Sequence, residues 1–164
     1  MNSKNLVYSK KYNHIVYLKK FETNYIVTKK YLKWLRDKNI IRFTKIKSNN
    51  NKKSIKRYIR ENNNNNSYFL KILVKNKIFF THIGNLKMTL KKDSASIALI
   101  IGEKKFHNSG IGTLAIQEAL KFLKKKNIFK IYAFINIKNI PSIKAFKKNN
   151  FNKVSGEKFK YNSQ

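Results

Sequence analysis

One segment in the second half of the chain limits the choice of fold more than any other. Residues 94–101 form an apolar run typical of a buried strand, which leads through a loop into Gly110 and Gly112. Apolar residues then recur at helical spacing, at positions 111, 115, 119, 120 and 123. Residues 129–135, dense in β-branched and aromatic side chains, predict a further strand. The segment therefore predicts a mixed α/β domain.

The glycine turn is suited to bind an anion. The first amides of a helix have no partner within it and lie at the positive end of the helix dipole. Gly110 and Gly112 remove side chains that would block the approach of a pyrophosphate. The turn lacks the Lys-Ser/Thr ending of a Walker loop, and Ala115 replaces the third glycine of a Rossmann fingerprint. A plain tight turn is the alternative interpretation.

The formal net charge of +31 raises the question of a nucleic-acid partner. Proteins that bind nucleic-acid phosphates or bases favour arginine, because its donors lie in one plane. The arginines of this chain are only Arg36, Arg42, Arg57 and Arg60. The lysines are spread along the chain with many Asn, Ile, Phe and Tyr, the bias that an AT-rich genome produces. We therefore interpret the charge as background and expect no nucleic-acid partner, although the field attracts anionic ligands.

Length and composition fit one domain with a sizeable core. No apolar run reaches the roughly 20 residues that span a bilayer, and the N-terminus lacks a signal-peptide core, so we expect a cytoplasmic protein. The absence of cysteine excludes disulfides and thiolate sites. The three histidines show no ligand spacing, so no metal site is expected.

The predicted order of elements is β-α-α-β-β-β-α-β-α-β. The strands are predicted near residues 15–18, 68–74, 78–88, 94–101, 129–135 and 151–154. The two early helices carry apolar residues at positions 27, 31, 34 and 35, and at 55, 58 and 59. The last helix begins near Pro141, which suits a first turn.

A second motif follows the strand at residues 129–135 and has the form N-x-x-S/A-I-x-A/L-Y/F-x-K-x-G-F. Its matching residues are Asn139, Ser142, Ile143, Ala145, Phe146, Lys148 and Phe151. With residues 107–112, which fit Q/R-x-x-G-x-G/A, the pair resembles the GNAT N-acetyltransferase superfamily. The resemblance covers residues 78–154 well. It extends more weakly to residues 31–37 and 82–86, which look like the ribosomal-protein-alanine and amino-sugar branch.

The resemblance implies a single GNAT domain over residues 1–164, with a mixed, mostly antiparallel sheet, a splayed central strand and helices on both faces. Residues 1–70 would form the acceptor side and residues 78–154 the core that binds acetyl-coenzyme A as cosubstrate. The loop that binds it would consist of His107, Asn108, Ser109, Gly110, Ile111, Gly112 and Thr113, with the amides of residues 108–113 as the cradle for its pyrophosphate. The remaining coenzyme contacts would come from Ile100, Ile101, Gly102, Asn139, Ser142, Phe146 and Lys148.

Within that set, the strand end at residues 100–102 and Asn139 would hold the pantetheine arm. An amide near Ile101 or Gly102 would supply the oxyanion donor. Lys148 would lie near a coenzyme phosphate, or else is a solvated lysine.

Three positions depart from the family pattern. His107 stands in place of Gln or Arg, where the backbone makes the cradle. Asn150 stands in place of Gly at a helix end, and Asn is the residue that best replaces Gly in the left-handed conformation. Phe146 stands where many members have a Tyr that protonates the thiolate. Water would then supply that proton, or the thiolate would leave unaided.

Acetyl transfer also needs a base for the amine. Glu103 is the acidic residue beside the strand that ends at the glycine loop, so we predict it as the base, directly or through water. The alternative is that it pairs with a lysine and stabilises the loop. The predicted acceptor-side residues are Tyr31, Trp34, Arg42, His82 and Asn85. Trp34 also has the helical spacing of a core residue.

Three functions remain open for the sequence. The first is acetylation of a small-molecule amine, for which an amino sugar, free or nucleotide-linked, is the preferred prediction. The second is N-terminal or lysine acetylation of a protein. The third, from another class, is a basic nucleic-acid-binding module on a degenerate GNAT fold.

The last fourteen residues are short and lysine-rich for two strands. We therefore expect a shortened sheet edge beside residues 129–135. The gap would be closed by a second subunit, giving a homodimer, or left as a cleft open to the acceptor.

Overall fold

The computed structural model of the chain describes residues 6–9, 14–22, 24–76 and 78–163. Within them, eight strands form one sheet in the order β1-β2-β3-β4-β5-β6-β8-β7. The strands are β1 (Leu6–Ser9), β2 (His14–Lys20), β3 (Ser67–Asn76), β4 (Phe79–Leu90), β5 (Ser94–Ile101), β6 (Lys130–Phe134), β7 (Phe151–Ser155) and β8 (Lys158–Tyr161). The helices are α1 (Lys29–Trp34), α2 (Lys38–Ile41), α3 (Lys52–Glu61), α4 (Ile111–Lys125) and α5 (Ile140–Lys147).

The sheet opens between β5 and β6. These two strands run parallel, whereas the other neighbours pair antiparallel. In the described chain, β5–β6 pairing joins residues 94–96 to residues 130–132 and extends no further. β5 continues along β4 as far as Ile101, so the two parallel strands part toward its C-terminal end. The predicted mixed, mostly antiparallel sheet with a splayed central strand is confirmed.

Helices cover both faces of the sheet, and each face has its own core. β3 shows the division, because successive side chains of a strand point to opposite faces. Leu70 belongs to the core under α4, together with Ile111 and Ala115 of that helix. Phe69, the preceding residue, belongs to the core under α1 and α3, together with Trp34. The core under α4 and the core under α1 and α3 therefore lie on opposite faces of the sheet.

The helices that flank the opening begin at residues suited to helix starts. Gly110 caps α4 with φ of 81°, a left-handed conformation that glycine adopts without strain. Asn139 caps α5, its side chain accepting a hydrogen bond from the Ser142 amide, and Pro141 lies in the first turn. The predicted starts of both helices are confirmed.

The end of α5 is fastened to the start of α4 by a buried asparagine. Asn149 Nδ2 donates to the Thr113 carbonyl at 3.1 Å and to the Ala145 carbonyl at 2.9 Å. The next residue, Asn150, has φ of 61°, which confirms the left-handed conformation predicted where the family has glycine. The second motif therefore fixes the position of α5 against the first turn of α4.

The expectation of a shortened sheet at the C-terminus was wrong. The chain turns at Gly156, with φ of 46°, and β8 inserts between β6 and β7. Phe159 and Tyr161 are buried and alternate with lysines that point away from the core, so the lysine-rich sequence still supplies an apolar face. β6 has five residues, and β8 pairs with three of them. The gap that was to be filled by a second subunit is therefore closed by the chain itself.

Besides β8, the prediction missed β1, α2 and a 3₁₀ helix at Lys104–Phe106, and it made one helix too long. β1 pairs with β2, and α2 is a four-residue helix capped by Asp37. The predicted first helix included Val27 and Leu35, whereas α1 lies between them, capped by Thr28. Both flanking residues are nevertheless buried in the same core, which explains the apolar spacing.

Candidate active site

The C-terminal end of β5 is shaped by an irregularity in β4. Ile72 pairs with Gly84 and Leu73 with His82, so Ile83 is an extra residue on β4. Its carbonyl accepts hydrogen bonds from the amides of Gly102 at 2.8 Å and Glu103 at 3.1 Å. The Gly102 amide, one of the two predicted oxyanion donors, is therefore already used.

Ile101 is the remaining candidate for the oxyanion donor. Amides of successive residues in a strand point in opposite directions. Since the Gly102 amide points to β4, the Ile101 amide points to the opposite side, into the opening between β5 and β6. The Ile101 carbonyl accepts a hydrogen bond from His107 Nε2 at 2.9 Å. His107 thus anchors the loop to the strand end.

The cradle predicted at residues 108–113 has the conformation of a tight loop. Asn108 has φ of 59° and Gly110 has φ of 81°. Ser109 Oγ donates to the Phe106 carbonyl at 2.6 Å, which holds the loop closed. The Leu114 amide bonds back to the Gly110 carbonyl, so the amides of residues 111–113 precede the first bond of the helix. An added Cβ at Gly112 would meet Leu99 at 3.5 Å, an ordinary contact.

The residues of the second motif take different positions. Asn139 and Ser142 form the start of α5, and Lys148 is exposed at its end. Phe146 is only 2% exposed, and its ring meets that of Phe151 edge-on with centroids 4.9 Å apart. These contacts give Phe146 a packing role, and its contact with the coenzyme stays a prediction.

Four of the five acceptor-side residues are brought together around His82. Its ring lies 5.3 Å from that of Tyr31 and 5.1 Å from that of Trp34, and Asn85 Nδ2 lies 3.3 Å from its Nε2. Arg42 is not part of this cluster: its exposed guanidinium lies 4.5 Å from the ring of Phe43. We call His82, Tyr31, Trp34, Asn85 and the adjoining Phe21 and Tyr25 the His82 cluster.

His82 is held as a neutral imidazole. Burial lowers its pKa to about 4, with the nearby Lys71 and Lys30 acting in the same direction against the Gly84 hydrogen bond and Glu103. Nε2 lies 2.9 Å from the Gly84 carbonyl, which requires the proton on that nitrogen. Nδ1 is therefore an acceptor, and it lies 3.5 Å from the hydroxyl of Tyr25. Burial raises the pKa of Tyr25 to about 12, so this hydroxyl remains protonated.

The Glu103 carboxylate is bound by two side chains of helix α1. Trp34 Nε1 donates to Oε1 at 2.7 Å, and Lys30 Nζ lies 3.2 Å from Oε2. The indole also lies against Gly102, where an added Cβ would come within 2.1 Å of the ring. Glu103 therefore pairs with a lysine, which was the alternative to its role as general base. Position 102 requires glycine because the Trp34 ring approaches it so closely.

Sequence reasoning missed Tyr25, Phe21 and an ion pair beneath them. Lys71 is buried, with its Nζ 2.5 Å from Glu22 Oε2. Burial alone would raise the pKa of Glu22, but hydrogen bonds from Lys71 and Lys19 lower it to about 2. The pair is 49 residues apart in sequence, so no local spacing signals it.

Among the described residues, no group of three or more His, Asp or Glu side chains is arranged to hold a metal ion. In the same part of the chain, every helix is too short or too polar to cross a bilayer.

Comparison with known proteins decides the family. The profile of the acetyltransferase (GNAT) domain matches residues 18–152, most of the chain. The chain belongs to the GNAT acetyltransferases. It is therefore an acyltransferase that acetylates an amine, and the predicted superfamily and fold are confirmed. A search of curated proteins finds no significant match.

Solved GNAT structures share the fold at low sequence identity. An acetyltransferase from Bacillus anthracis superimposes with a TM-score of 0.69 at 16% identity, over 85% of this chain and 81% of that one. The microcin C7 self-immunity acetyltransferase, in complex with acetyl-CoA and AMP, gives 0.68 at 16% identity over 88% and 89%. Spermidine N-acetyltransferase from Vibrio cholerae, with CoA and spermine, gives 0.63 at 13% identity over 88% and 90%. At these identities the likeness concerns the fold, and the ribosomal-protein-alanine and amino-sugar branch stays a prediction.

Proposed function

We propose that this GNAT enzyme transfers the acetyl group of acetyl-coenzyme A to the primary amine of an amino sugar, free or nucleotide-linked. The observation that supports this acceptor is the half-buried pair of His82 and Tyr25, which offers a neutral imidazole and a phenol hydroxyl backed by the buried rings of Tyr31 and Trp34. Neutral hydrogen-bonding groups beside aromatic rings suit a hydroxylated sugar ring better than a polycation.

The donor side of the proposal rests on the loop between β5 and α4. Its positive-φ residues and the helix start present backbone amides where the pyrophosphate would lie. The pantetheine arm would run along the opening between β5 and β6, beside Ile101 and toward Asn139. Neighbouring folds solved with acetyl-CoA or CoA support this choice of cosubstrate.

The chemistry is direct attack. The amine nitrogen bonds to the thioester carbonyl carbon, the C–S bond breaks, and the proton lost by the nitrogen is balanced by one gained by the coenzyme thiolate. The Ile101 amide, on the side of β5 away from β4, would stabilise the oxyanion. Since Phe146 is buried and has no proton to give, water protonates the thiolate or the thiolate leaves unprotonated at a thiol pKa of about 8.5.

The acceptor-side layer is poorly suited to a polyamine. Glu22 pairs with Lys19 and Lys71, Asp37 with Lys104, and the adjoining Glu103 with Lys30, each at 3.2 Å or less. Glu61 is exposed and lies 4.0 Å from Arg57, at the outer limit of an ion pair. With a net charge of +31, a cationic acceptor would also be repelled at long range. A neutral or anionic amine is favoured.

An acceptor screen tests the proposal. Purified protein with acetyl-coenzyme A is offered glucosamine, a nucleotide-linked amino sugar, spermidine and peptides with a free N-terminus or lysine, and free thiol is measured. We expect turnover with the amino sugars. Turnover with peptides or spermidine but not with amino sugars would show that the proposed acceptor is wrong. Binding of acetyl-coenzyme A without turnover of any of these amines would also contradict the proposal.

Glu103→Gln separates the two roles of this residue. The Gln side-chain oxygen still accepts from Trp34 Nε1, while the negative charge and the Lys30 ion pair are lost. Because both carboxylate oxygens are engaged, we expect kcat to fall by less than about tenfold, whereas loss of a general base costs about 100-fold or more. Lys30→Gln, which keeps the carboxylate but removes the same ion pair, is the matched control. A loss of about 100-fold or more confined to Glu103→Gln would establish the base.

A further inference from the structure

A groove of about 1090 Å³ lies between the segment that follows β2 and helix α3. Its apolar lining includes Phe21, Tyr25, Val27 and Ile59, with Ile26 reaching into the solvent at 74% exposed. The opposite wall is the exposed face of α3. The groove therefore has an apolar side and a side formed by a polar helix surface.

The helix side of the groove is cationic. Its charged lining residues are all exposed: Lys52, Lys53, Lys56, Arg57 and Arg60. Lysine is common everywhere in this chain, but arginine is not, and two of its four arginines line this groove. Guanidinium groups bind phosphate oxygens through paired donors. The charge is therefore concentrated here beyond the background composition.

The acidic residue in the lining does not offset this charge. Glu22 is ion-paired with Lys71 and Lys19, so its charge is balanced before any ligand arrives. Arg57 lies at the outer limit of an ion pair with Glu61, 4.0 Å away, and both side chains are largely exposed. Exposed pairs of this kind are weak, so the guanidinium remains available to a stronger anion.

The groove also shares a wall with the His82 cluster. Phe21 and Tyr25 line the groove, and their rings lie 5.8 Å and 6.4 Å from that of His82. His82 is in contact with Trp34, which lies against Gly102 at the end of β5. The half-buried Tyr25 therefore links the groove to His82, with its hydroxyl 3.5 Å from His82 Nδ1, and the groove lies on the same side of the sheet as the His82 cluster.

We infer that this groove binds the phosphate-bearing part of the acceptor, a nucleoside diphosphate to which the amino sugar is joined. The phosphates would lie against Arg57 and Arg60, and the base would cover the apolar side at Tyr25 and Ile26. The inference rests on the proposed acetylation of an amino sugar, and it selects the nucleotide-linked form over the free sugar.

The test compares two double variants that each remove two positive charges. Arg57→Gln/Arg60→Gln acts in the groove, while Lys125→Gln/Lys153→Gln removes exposed lysines on α4 and β7 outside it. Binding of UDP is measured calorimetrically at saturating coenzyme A, so that the cosubstrate's own diphosphate site is filled. KM is then measured for a UDP-linked amino sugar and for glucosamine. Circular dichroism checks that each variant is folded. Arg60→Gln alone is used if the double groove variant does not fold.

We expect the groove variant to weaken UDP binding at least about tenfold and to raise KM for the UDP-linked acceptor by a similar factor. KM for glucosamine should change less than about twofold, and the lysine control should behave like the wild type within about threefold. Equal losses in both double variants would show a general charge effect and overturn the site. Failure of UDP to bind the wild type would overturn it too.

The outcomes keep the two proposals apart. Acetylation of free amino sugars without UDP binding would leave the proposed function standing and remove the groove site. UDP binding that depends on the two arginines, without acetylation of any amino sugar, would keep the site and remove the acceptor.

Discussion

Gly110→Asp should reduce the affinity for acetyl-coenzyme A by well over tenfold, more than about 1.4 kcal/mol. Gly110 has φ of 81° at the start of α4, and Asp is among the residues that tolerate this conformation, so the fold should persist. The new carboxylate, however, would lie among the amides proposed to hold the pyrophosphate, and it would repel it. Isothermal titration calorimetry with acetyl-coenzyme A measures the effect.

Gly156→Asp is the matched control for that substitution. Gly156 also has positive φ, 46°, and an added Cβ there meets nothing within 4 Å. It lies in the β7–β8 turn, so the same change of residue and charge is made away from the cradle. Affinity should stay within about twofold of the wild type. A folded Gly110→Asp protein with unchanged affinity would remove the coenzyme site from this loop.

His82→Gln should flatten the dependence of stability on pH. In the wild type, the His82 pKa is about 4 in the folded state against an ordinary value of 6.5. Between these values the unfolded chain binds a proton that the folded chain does not, so stability falls as pH falls below about 6.5. Between pH 7 and pH 5 this linkage removes about 2 kcal/mol. The variant has no such group, so it should lose about 2 kcal/mol less over the same interval.

Urea denaturation at the two pH values measures the difference. The lower limit of pH 5 stays above the ordinary pKa of glutamate, 4.5, so the Glu22 ion pair remains intact at both points. His107→Gln, the same substitution at an exposed ring, is measured for comparison. The same loss in His82→Gln as in the wild type would mean that His82 is not held neutral.

Local signals predicted the coenzyme half of the molecule well. The strand at residues 94–101, the helix start at Gly110 and the left-handed Asn150 depend on backbone conformation and short-range spacing, which the sequence displays directly. The prediction for residues 151–164 was wrong because it rested on their many lysines, which suggested strands too polar to complete the sheet. The alternation that buries Phe159 and Tyr161 has meaning only once β8 lies beside β6.

By itself, the sequence determined the family and the glycine turn that begins α4, and it named four of the residues that meet around His82. Only the tertiary structure decided which of them meet. Trp34 and Glu103 are 69 residues apart, and Tyr25 and His82 are 57 apart, yet each pair is in contact. Such contacts depend on strand register and on the extra residue, Ile83, in β4, which takes the Gly102 amide and leaves that of Ile101 facing the opening. Register is set by pairing across the whole sheet, and local spacing along the chain does not carry it.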